Sequence, residues 1–332
     1  MQMYYLCKDN YSYITTKNHK KMGIFTSLFG GKKDPEREKE KNFDILKYDG
    51  IRAMRIGKLT YAIKCLEEAT ALREEPETML HQANAYLRVN RMDDARRILT
   101  RITELTPEQP QAFLSLASLC YMQEDYRAMD EACRSALALD ADNAATHLLA
   151  AKAALGLNNG IQAIAMLTRA IVLDEELAEA YQLRAEVLWQ MRQAKDASED
   201  IEKLLSLNPE DENALLLKAE IMAVSGDEEG AVKLMNEVLA LNPFCEKAYL
   251  LKGSYLLAKQ DADGAIAVYN EALEINPNFA AAYHERGRAK LAKGDKQGSM
   301  EDMKRAIELA PEQGAAISGE YNNYEQQKNI PF

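Results

Sequence analysis

The most constraining feature of this sequence is a regular internal repeat. When the chain is divided before residue 76 and then at constant intervals, seven repeats of equal length fall into register, and an eighth repeat before them is slightly shorter. The eight repeats are 43–75, 76–109, 110–143, 144–177, 178–211, 212–245, 246–279 and 280–313. A period of about 34 residues is typical of chains that stack many copies of one small unit, and it argues against two unlike globular domains.

Three columns of the repeat are each dominated by one class of residue. The twentieth residue is alanine in six of the eight repeats, and the thirtieth is a branched aliphatic residue in all eight. The eighth residue is always small: Gly50, Ala83, Ala117, Ala151, Ala185, Ala219, Gly253 and Gly287. Small residues in two columns indicate that two helices of one repeat approach each other closely.

The residues within one repeat predict two helices. In repeat 246–279, Tyr249, Gly253 and Leu256 fall on one helical stripe, and the apolar positions of 265–275 form a second stripe. A polar turn, 260–263, separates the stripes, and the segment 276–278, with its central proline, ends the second helix. Two such helices cannot bury their apolar faces alone, so neighbouring repeats must stack on one another.

These columns, with a bulky residue near the start of most repeats and a proline near the end of five, resemble the tetratricopeptide repeat (TPR) family. The resemblance implies an all-α fold: an α-solenoid of about eight TPR helical hairpins that form a right-handed superhelix. His147, Met129 and Ser299 depart from their columns as isolated substitutions. After the last repeat, Ile317, Tyr321 and Tyr324 recur at helical spacing, so 314–332 is expected to be a C-terminal capping helix and tail, with a disordered tail as the alternative.

The chain has no recognisable catalytic chemistry. The repeats leave only 1–42 and 314–332, which are too short for a catalytic domain. The repeats contain no nucleophile elbow, phosphate loop, zinc-ligand pair or kinase signature, so we expect a protein that is not an enzyme and binds neither a cofactor nor a metal. The net charge of −11 argues against a nucleic-acid partner, since affinity for phosphate depends on clustered lysine and arginine.

The face opposite the buried stripe of each first helix is the expected binding surface. In TPR proteins this face lines a concave groove that takes a partner's peptide or helix, and here its middle is apolar. The predicted groove residues are Leu114, Tyr121, Leu148, Leu149, Leu155, Leu183, Trp189, Leu216, Leu217, Leu250, Leu251 and Leu257. The resemblance predicts a partner protein or peptide here, with Trp189 as anchor, because tryptophan is enriched among binding hot spots. The alternative is that neighbouring leucines cover one another.

A known TPR mode of recognition is disfavoured. Some TPR domains hold a chaperone's C-terminal carboxylates with lysines, asparagines and an arginine from three consecutive repeats. In the first three repeats only Lys47 matches that set, because His81, Gln111 and Ser115 stand in other clamp columns.

The basic segment 1–42 differs from the rest of the chain. It carries nine Lys/Arg and five Asp/Glu, so the remainder carries a net charge of −15. Next to two lysines it holds four large apolar residues, which predicts contact with an anionic membrane surface as an alternative function: a peripheral membrane-associated organiser. The residues concerned are Ile24, Phe25, Leu28, Phe29, Lys32 and Lys33. A flexible tail, or a segment that folds into the chain's own groove, are the other interpretations.

The N-terminal residues indicate where in the cell the protein is expected to be. No apolar stretch suits a secretory signal or a membrane span, so a cytoplasmic location is expected, with the inner face of the membrane as the site of the peripheral alternative. Residues 1–21 crowd four tyrosines and follow no repeat pattern, and we expect Met22 to be the biological start. The sequence thus predicts a non-catalytic scaffold or adaptor that binds a helix or extended peptide of another protein.

Overall fold

The computed structural model describes residues 35–311, and these residues form sixteen α-helices and no strand. The helices are α1 Pro35–Arg55, α2 Leu59–Leu72, α3 Pro76–Arg88, α4 Met92–Leu105, α5 Pro110–Met122, α6 Tyr126–Leu139, α7 Ala144–Gly156, α8 Gly160–Leu173, α9 Ala178–Gln190, α10 Ala194–Leu207, α11 Glu212–Ser225, α12 Glu228–Leu241, α13 Glu246–Ala258, α14 Ala262–Ile275, α15 Ala280–Lys293 and α16 Lys296–Leu309. The prediction of an all-α fold is confirmed for these residues.

The helix starts follow the period of the sequence. From α3 onward, every odd-numbered helix begins at the first residue of a predicted repeat, from Pro76 to Ala280. Each of these repeats therefore contains a first helix of 13 or 14 residues and a second helix of 14 residues. The limits of the repeats as independent units stay a prediction, but the boundaries of the helices agree with them.

The chain divides between Thr78 and Met79 into two compact bodies. The N-terminal body, described from residue 35, contains α1 and α2, which pack against each other around Phe43 and Leu66. The C-terminal body, described to residue 311, contains α4–α16, and in it each helix packs mainly against the helices next to it in the chain. The division falls within α3.

The first helix begins earlier than the sequence suggested. α1 starts at Pro35, so residues 35–42, which we assigned to the basic N-terminal arm, are helical. The proline suits the first turn of a helix, where its missing N–H costs nothing. The carboxylates of Glu36 and Glu38 interact favourably with the positive, N-terminal end of the helix dipole. Residues 35–42 are polar after the proline and are all exposed, so their sequence lacks the apolar periodicity from which a helix is recognised.

The small-residue columns lie where paired helices touch. In the C-terminal body every residue of the twentieth column is fully buried: Ala95, Met129, Ala163, Ala197, Ala231, Ala265 and Ser299. The glycine in the eighth column at Gly253 is required by close approach, since a Cβ there would lie 2.3 Å from Cζ of the buried ring of Tyr269. These columns therefore hold small residues for the reason predicted from sequence: the two helices of a repeat approach each other closely at these positions.

Every first helix ends in the same kind of turn. The fifteenth residue of each of the eight repeats has a positive φ, between 56° and 97°. Three of these residues are glycine and two are asparagine, but Glu124, Arg192 and Gln260 adopt the same left-handed conformation, which side chains disfavour. The next residue caps the second helix in five repeats, as at Asp261, whose Oδ1 accepts the backbone N–H of Gly264 at 2.8 Å.

Two arginines join three helices each. Arg184 of α9 donates two hydrogen bonds to Asp200 of α10, of 2.8 and 2.6 Å, and one of 3.0 Å to Thr168 of α8. Three repeats later, Arg286 of α15 makes the same bonds to Asp302 of α16 and Asn270 of α14. We call these two groups the arginine clamps.

Candidate partner-binding surface

The first helices of successive repeats lie side by side in the C-terminal body. Helix α5 contacts α7, α9 contacts α11, and α11 contacts α13. Between α7 and α9, Lys152 and Glu179 form an ion pair of 2.7 Å. We call the exposed and half-buried residues of α5, α7, α9, α11 and α13 the first-helix surface.

The twelve residues predicted for the groove all belong to these five helices but differ in exposure. Tyr121 is 43% exposed. The half-buried residues are Leu114, Leu149, Leu155, Leu183, Trp189, Leu250, Leu251 and Leu257. Six of these eight pack against buried clusters between helices, so each is fixed on one side by the core.

Three of the twelve residues lie inside the core. Leu148, Leu216 and Leu217 are only 8%, 1% and 9% exposed. Leu148 packs beside Tyr181 of the following repeat, and Leu217 packs beside Leu188 of the preceding one. Each of the three offers almost no surface to a partner, so the proposed contact residues do not include them. The angle between neighbouring hairpins decides which of these leucines are buried. That angle cannot be inferred from the helical periodicity of the sequence.

A charged side chain crosses the first-helix surface from α5 to α9. The ammonium nitrogen of Lys152 lies 5.4 Å from the centre of the Tyr121 ring, and the same nitrogen forms the ion pair with Glu179. Lys152 therefore covers Tyr121 with a cation while its own charge is neutralised. Lys152 stands in the ninth column of its repeat, beside the apolar columns from which the groove was predicted, so this column contains the sequence signal for the arrangement.

Acidic residues follow on the next two first helices. Glu186 of α9 accepts a hydrogen bond of 3.1 Å from the amide of Gln182, and Glu220 of α11 forms no hydrogen bond or ion pair within residues 35–311. Trp189, one turn after Glu186, packs against the buried cluster between α9, α10 and α11 that contains Leu188 and Ile201. The middle of the surface is thus apolar with carboxylates beside it.

The end of the C-terminal body near α15 is polar. Glu285 accepts hydrogen bonds of 2.9 and 3.1 Å from Arg288 and lies 3.3 Å from Nδ1 of His284. Burial alone would raise the pKa of Glu285, but the hydrogen bonds from His284 and Arg288 outweigh it and hold the pKa below its usual value.

The one lysine that matched a carboxylate clamp is already neutralised. In the N-terminal body, Nζ of Lys47 donates to Glu75 at 2.7 Å and to Glu77 at 2.5 Å. Burial would lower the pKa of Lys47, but the two carboxylates raise it above its usual value. A partner's carboxylate would have to displace both, which agrees with the sequence-based argument against a chaperone-tail clamp.

Other candidate groups have structural surroundings or lie outside the described part. Nε2 of His147 lies 2.9 Å from the carbonyl oxygen of Ala141, in the loop before α7. Residues 35–311 contain no cluster of metal-ligating side chains, and none of their helices combines the length and apolar character of a membrane span. The proposed membrane segment, Ile24, Phe25, Leu28, Phe29, Lys32 and Lys33, and the proposed capping helix at 314–332 lie outside the described residues.

Solved structures share this arrangement of helices. A tetratricopeptide repeat protein from Parabacteroides merdae has a TM-score of 0.62 and 18% identity, over 71% of this chain and 93% of that one. The C-terminal part of a TPR repeat-containing protein from Cytophaga hutchinsonii has a TM-score of 0.58 and 14% identity, over 72% and 98%. The pilF protein of Pseudomonas aeruginosa has a TM-score of 0.52 and 20% identity, over 65% and 96%. At these identities the likeness establishes the fold, an all-α TPR solenoid.

Family models match the repeats directly. Three described as "Tetratricopeptide repeat" match 80–144, 188–255 and 280–313, and one described as "TPR repeat" matches 253–294. A search of curated proteins found no match to this chain. The matched segments begin in α3 and end after α16, with a gap at 145–187, and they contain the small-residue and aliphatic columns of most of the repeats. The chain belongs to the tetratricopeptide repeat family.

Proposed function

We propose that this protein is a non-catalytic adaptor that binds a helix or an extended segment of another protein on its first-helix surface. The tetratricopeptide repeat is in general an interaction module without catalytic activity, which supports the class of function. The proposal assigns repeats 43–313 to interaction and places the contact residues on α5–α13. It predicts neither a cofactor nor a nucleic-acid partner, and it places the protein in the cytoplasm.

The observation that carries the proposal is the row of half-buried apolar side chains on adjacent first helices. Leu149, Leu183 and Leu251 occupy the sixth position of their repeats, and Trp189 and Leu257 the twelfth. Each contacts the core on one side and keeps part of its surface accessible. Burial of that remainder by a partner contributes about 25 cal/mol per Å² of apolar area. A row of such residues can therefore supply the free energy for binding an apolar segment.

The surface is also rigid, which favours affinity. Each contact residue stands on a helix, and in repeat 178–211 an arginine clamp links that helix to those on both sides. A preorganised surface loses little conformational entropy on binding, so more of the contact free energy appears as affinity.

The test is to place charges on the surface at two half-buried positions, with a check that the fold is retained. Replacing Leu183 and Leu251 by arginine puts two desolvated cations under a bound apolar segment, and we expect partner affinity to fall at least about tenfold. The partner is first isolated from the native cell with the full chain and identified, and its affinity is then measured with purified components by calorimetry. Circular dichroism checks that the variant stays helical.

A matched control places the same charges elsewhere. Leu207 of α10 and Leu241 of α12 are 37% and 46% exposed and lie at the ends of second helices. Arginine at these two positions should leave the affinity within about twofold of wild type. If this control variant loses the partner while Leu183→Arg/Leu251→Arg retains it, binding takes place on another surface and the proposal is wrong.

A further inference from the structure

An aromatic ring on α5 is covered by a cation from the next repeat. Tyr121 occupies the twelfth position of its repeat, and Lys152, the ninth residue of the next repeat, places its ammonium nitrogen 5.4 Å from the ring centre. Glu179, the second residue of the repeat after that, neutralises the lysine at 2.7 Å. The arrangement is an aromatic ring, a cation above it and a carboxylate beside the cation.

Two repeats later the same three positions hold different residues. Trp189 is the twelfth residue of its repeat, Glu220 is the ninth residue of the next, and Lys247 is the second residue of the repeat after that. The helices are equivalent as well, since α9 contacts α11 as α5 contacts α7. At the second location the ring is larger, and the residue that should cover it is a carboxylate instead of an ammonium group.

Nothing in the described part of the chain supplies the missing cation. No lysine or arginine of residues 35–311 stacks on Trp189, although seven such pairs occur on other rings. Glu220 has no ion pair within the same range, and Lys247 forms none with it. The indole is half-buried, so part of it is accessible to a partner, and Glu220, which occupies the column that Lys152 occupies over Tyr121, has an unmatched charge.

We propose that Trp189 and Glu220 form a subsite for a lysine or arginine side chain of the partner segment. This inference rests on the proposed function, and it specifies the partner as a segment with a basic residue between apolar ones. The bound cation takes the place over Trp189 that Lys152 takes over Tyr121, and Glu220 neutralises it. Leu183 and Leu251, on the same surface, receive the apolar neighbours.

Physical chemistry favours this occupant over a purely apolar one. Tryptophan is the best ring for a cation–π contact, and the contact strengthens when a bound segment excludes water from the ring. The stem of a lysine or arginine side chain can cover apolar surface while its charged end reaches the carboxylate. The acidic remainder of the chain, with net charge −15, also attracts a basic segment at long range.

The experiment uses two tripeptides that differ only in charge. Acetyl-Leu-Lys-Leu-amide carries the ammonium group, and acetyl-Leu-norleucine-Leu-amide has the same apolar surface without it. Trp189 is the only tryptophan of the chain, so one indole N–H signal in the NMR spectrum of the full-length protein reports on this subsite alone. We expect the lysine peptide to shift that signal with an affinity about tenfold higher than that of the norleucine peptide.

Three variants separate the subsite from the rest of the surface. Glu220→Gln should reduce the preference for lysine at least about threefold and leave norleucine binding unchanged. Lys247→Ala should increase the affinity for the lysine peptide, because it removes an exposed cation from the position that Glu179 occupies beside Lys152 two repeats earlier. Glu237→Gln, on the exposed face of α12, is the matched control and should change neither affinity.

Equal affinities of the two peptides, or a lysine preference that survives Glu220→Gln, would overturn the subsite. The adaptor proposal would then still stand if Leu183→Arg/Leu251→Arg abolished partner binding. If deleting residues 1–33 by itself shifts the indole signal, the occupant is the chain's own basic arm, and the assignment to a partner segment is wrong.

Discussion

At the scale of single residues, the fifteenth position of the repeat is the most informative. Glycine and asparagine occupy the left-handed conformation there in five repeats, and Glu124, Arg192 and Gln260 occupy it in the other three. For a residue with a Cβ this conformation costs about 1–2 kcal/mol, whereas glycine adopts it freely. The three side chains are therefore a local source of instability in otherwise regular turns.

We predict that Gln260→Gly stabilises the protein. The substitution relieves the strain at φ 63° but adds flexibility to the unfolded chain, so the net gain should be about 0.5–1 kcal/mol. Urea unfolding followed by circular dichroism measures it. The reverse change, Gly226→Gln at φ 93°, should destabilise by a similar amount, and equal unfolding midpoints for all three proteins would contradict the argument.

A second prediction at this scale concerns pH. The folded-state pKa of Glu285 lies below its usual value of 4.5, so its ionised form is favoured by folding. The stabilisation is complete above pH 4.5 and is lost as the pH falls through the lower, folded-state pKa. Glu285→Gln removes this contribution, so the difference in melting temperature between wild type and variant should be largest near pH 6 and shrink towards pH 3. A difference that stays constant over this range would show that Glu285 does not titrate as described.

At the scale of helices, the arginine clamps show how one side chain fixes the packing of three elements. Arg184 and Asp200 are 19% and 5% exposed at the side chain, so their charges are largely removed from water. Such a pair adds little net stability over an apolar pair, but loss of one partner leaves a costly buried charge. The clamps therefore specify the packing of their helices more than they strengthen it.

The clamp at Arg184 predicts a particular pattern of stabilities. Asp200→Ala should cost roughly 2–3 kcal/mol, less than the roughly 3–5 kcal/mol of a fully buried pair because Arg184 is partly accessible. The double variant Arg184→Met/Asp200→Leu should recover most of that loss. Glu199→Ala, which removes an exposed ion pair with Lys195, is the control and should change stability by less than about 0.5 kcal/mol. Thermal unfolding of the four proteins decides between these outcomes.

Much at the helix scale was accessible from sequence. The repeat period and the small-residue columns predicted the hairpins, because those columns must pack at helix crossings in any stack of this kind. The start of α1 at Pro35 was not accessible, since its first two turns are exposed and polar. The burial of Leu148, Leu216 and Leu217 was missed for another reason: it depends on the angle between neighbouring hairpins, which one helix does not reveal.

At the scale of the C-terminal body, main contacts join only helices close in the chain. A solenoid with such contacts has a stability that is approximately a sum of local terms. The candidate surface could be predicted from sequence, because apolar residues recur at the sixth and twelfth positions of successive repeats. The pairing of Lys152 with both Tyr121 and Glu179 was not, because it needs the distances between three consecutive first helices.

Local stability leads to a prediction about exchange. Met235 is fully buried in α12 against Ala219 and Ala231, and Met235→Ala should cost about 2–5 kcal/mol. Because contacts are local, we expect faster amide hydrogen exchange in α11–α13 while α5–α7 remain as protected as in wild type. Uniformly faster exchange in all helices of the body would mean that it unfolds as one cooperative unit.

The identical left-handed turns have a consequence for how such a protein can change over time. Every hairpin closes through the same backbone conformation, and most cap the second helix at the next residue, so columns 8, 15, 16 and 20 set the frame. The proposed recognition residues stand in other columns, 6, 9 and 12. If the proposed subsite is correct, mutations can change what is bound, as the exchange of a lysine for a glutamate between Lys152 and Glu220 would, without disturbing the frame. A change of two side chains per hairpin is enough to diversify a binding preference, and this separation makes the array a natural starting point for engineering new specificities.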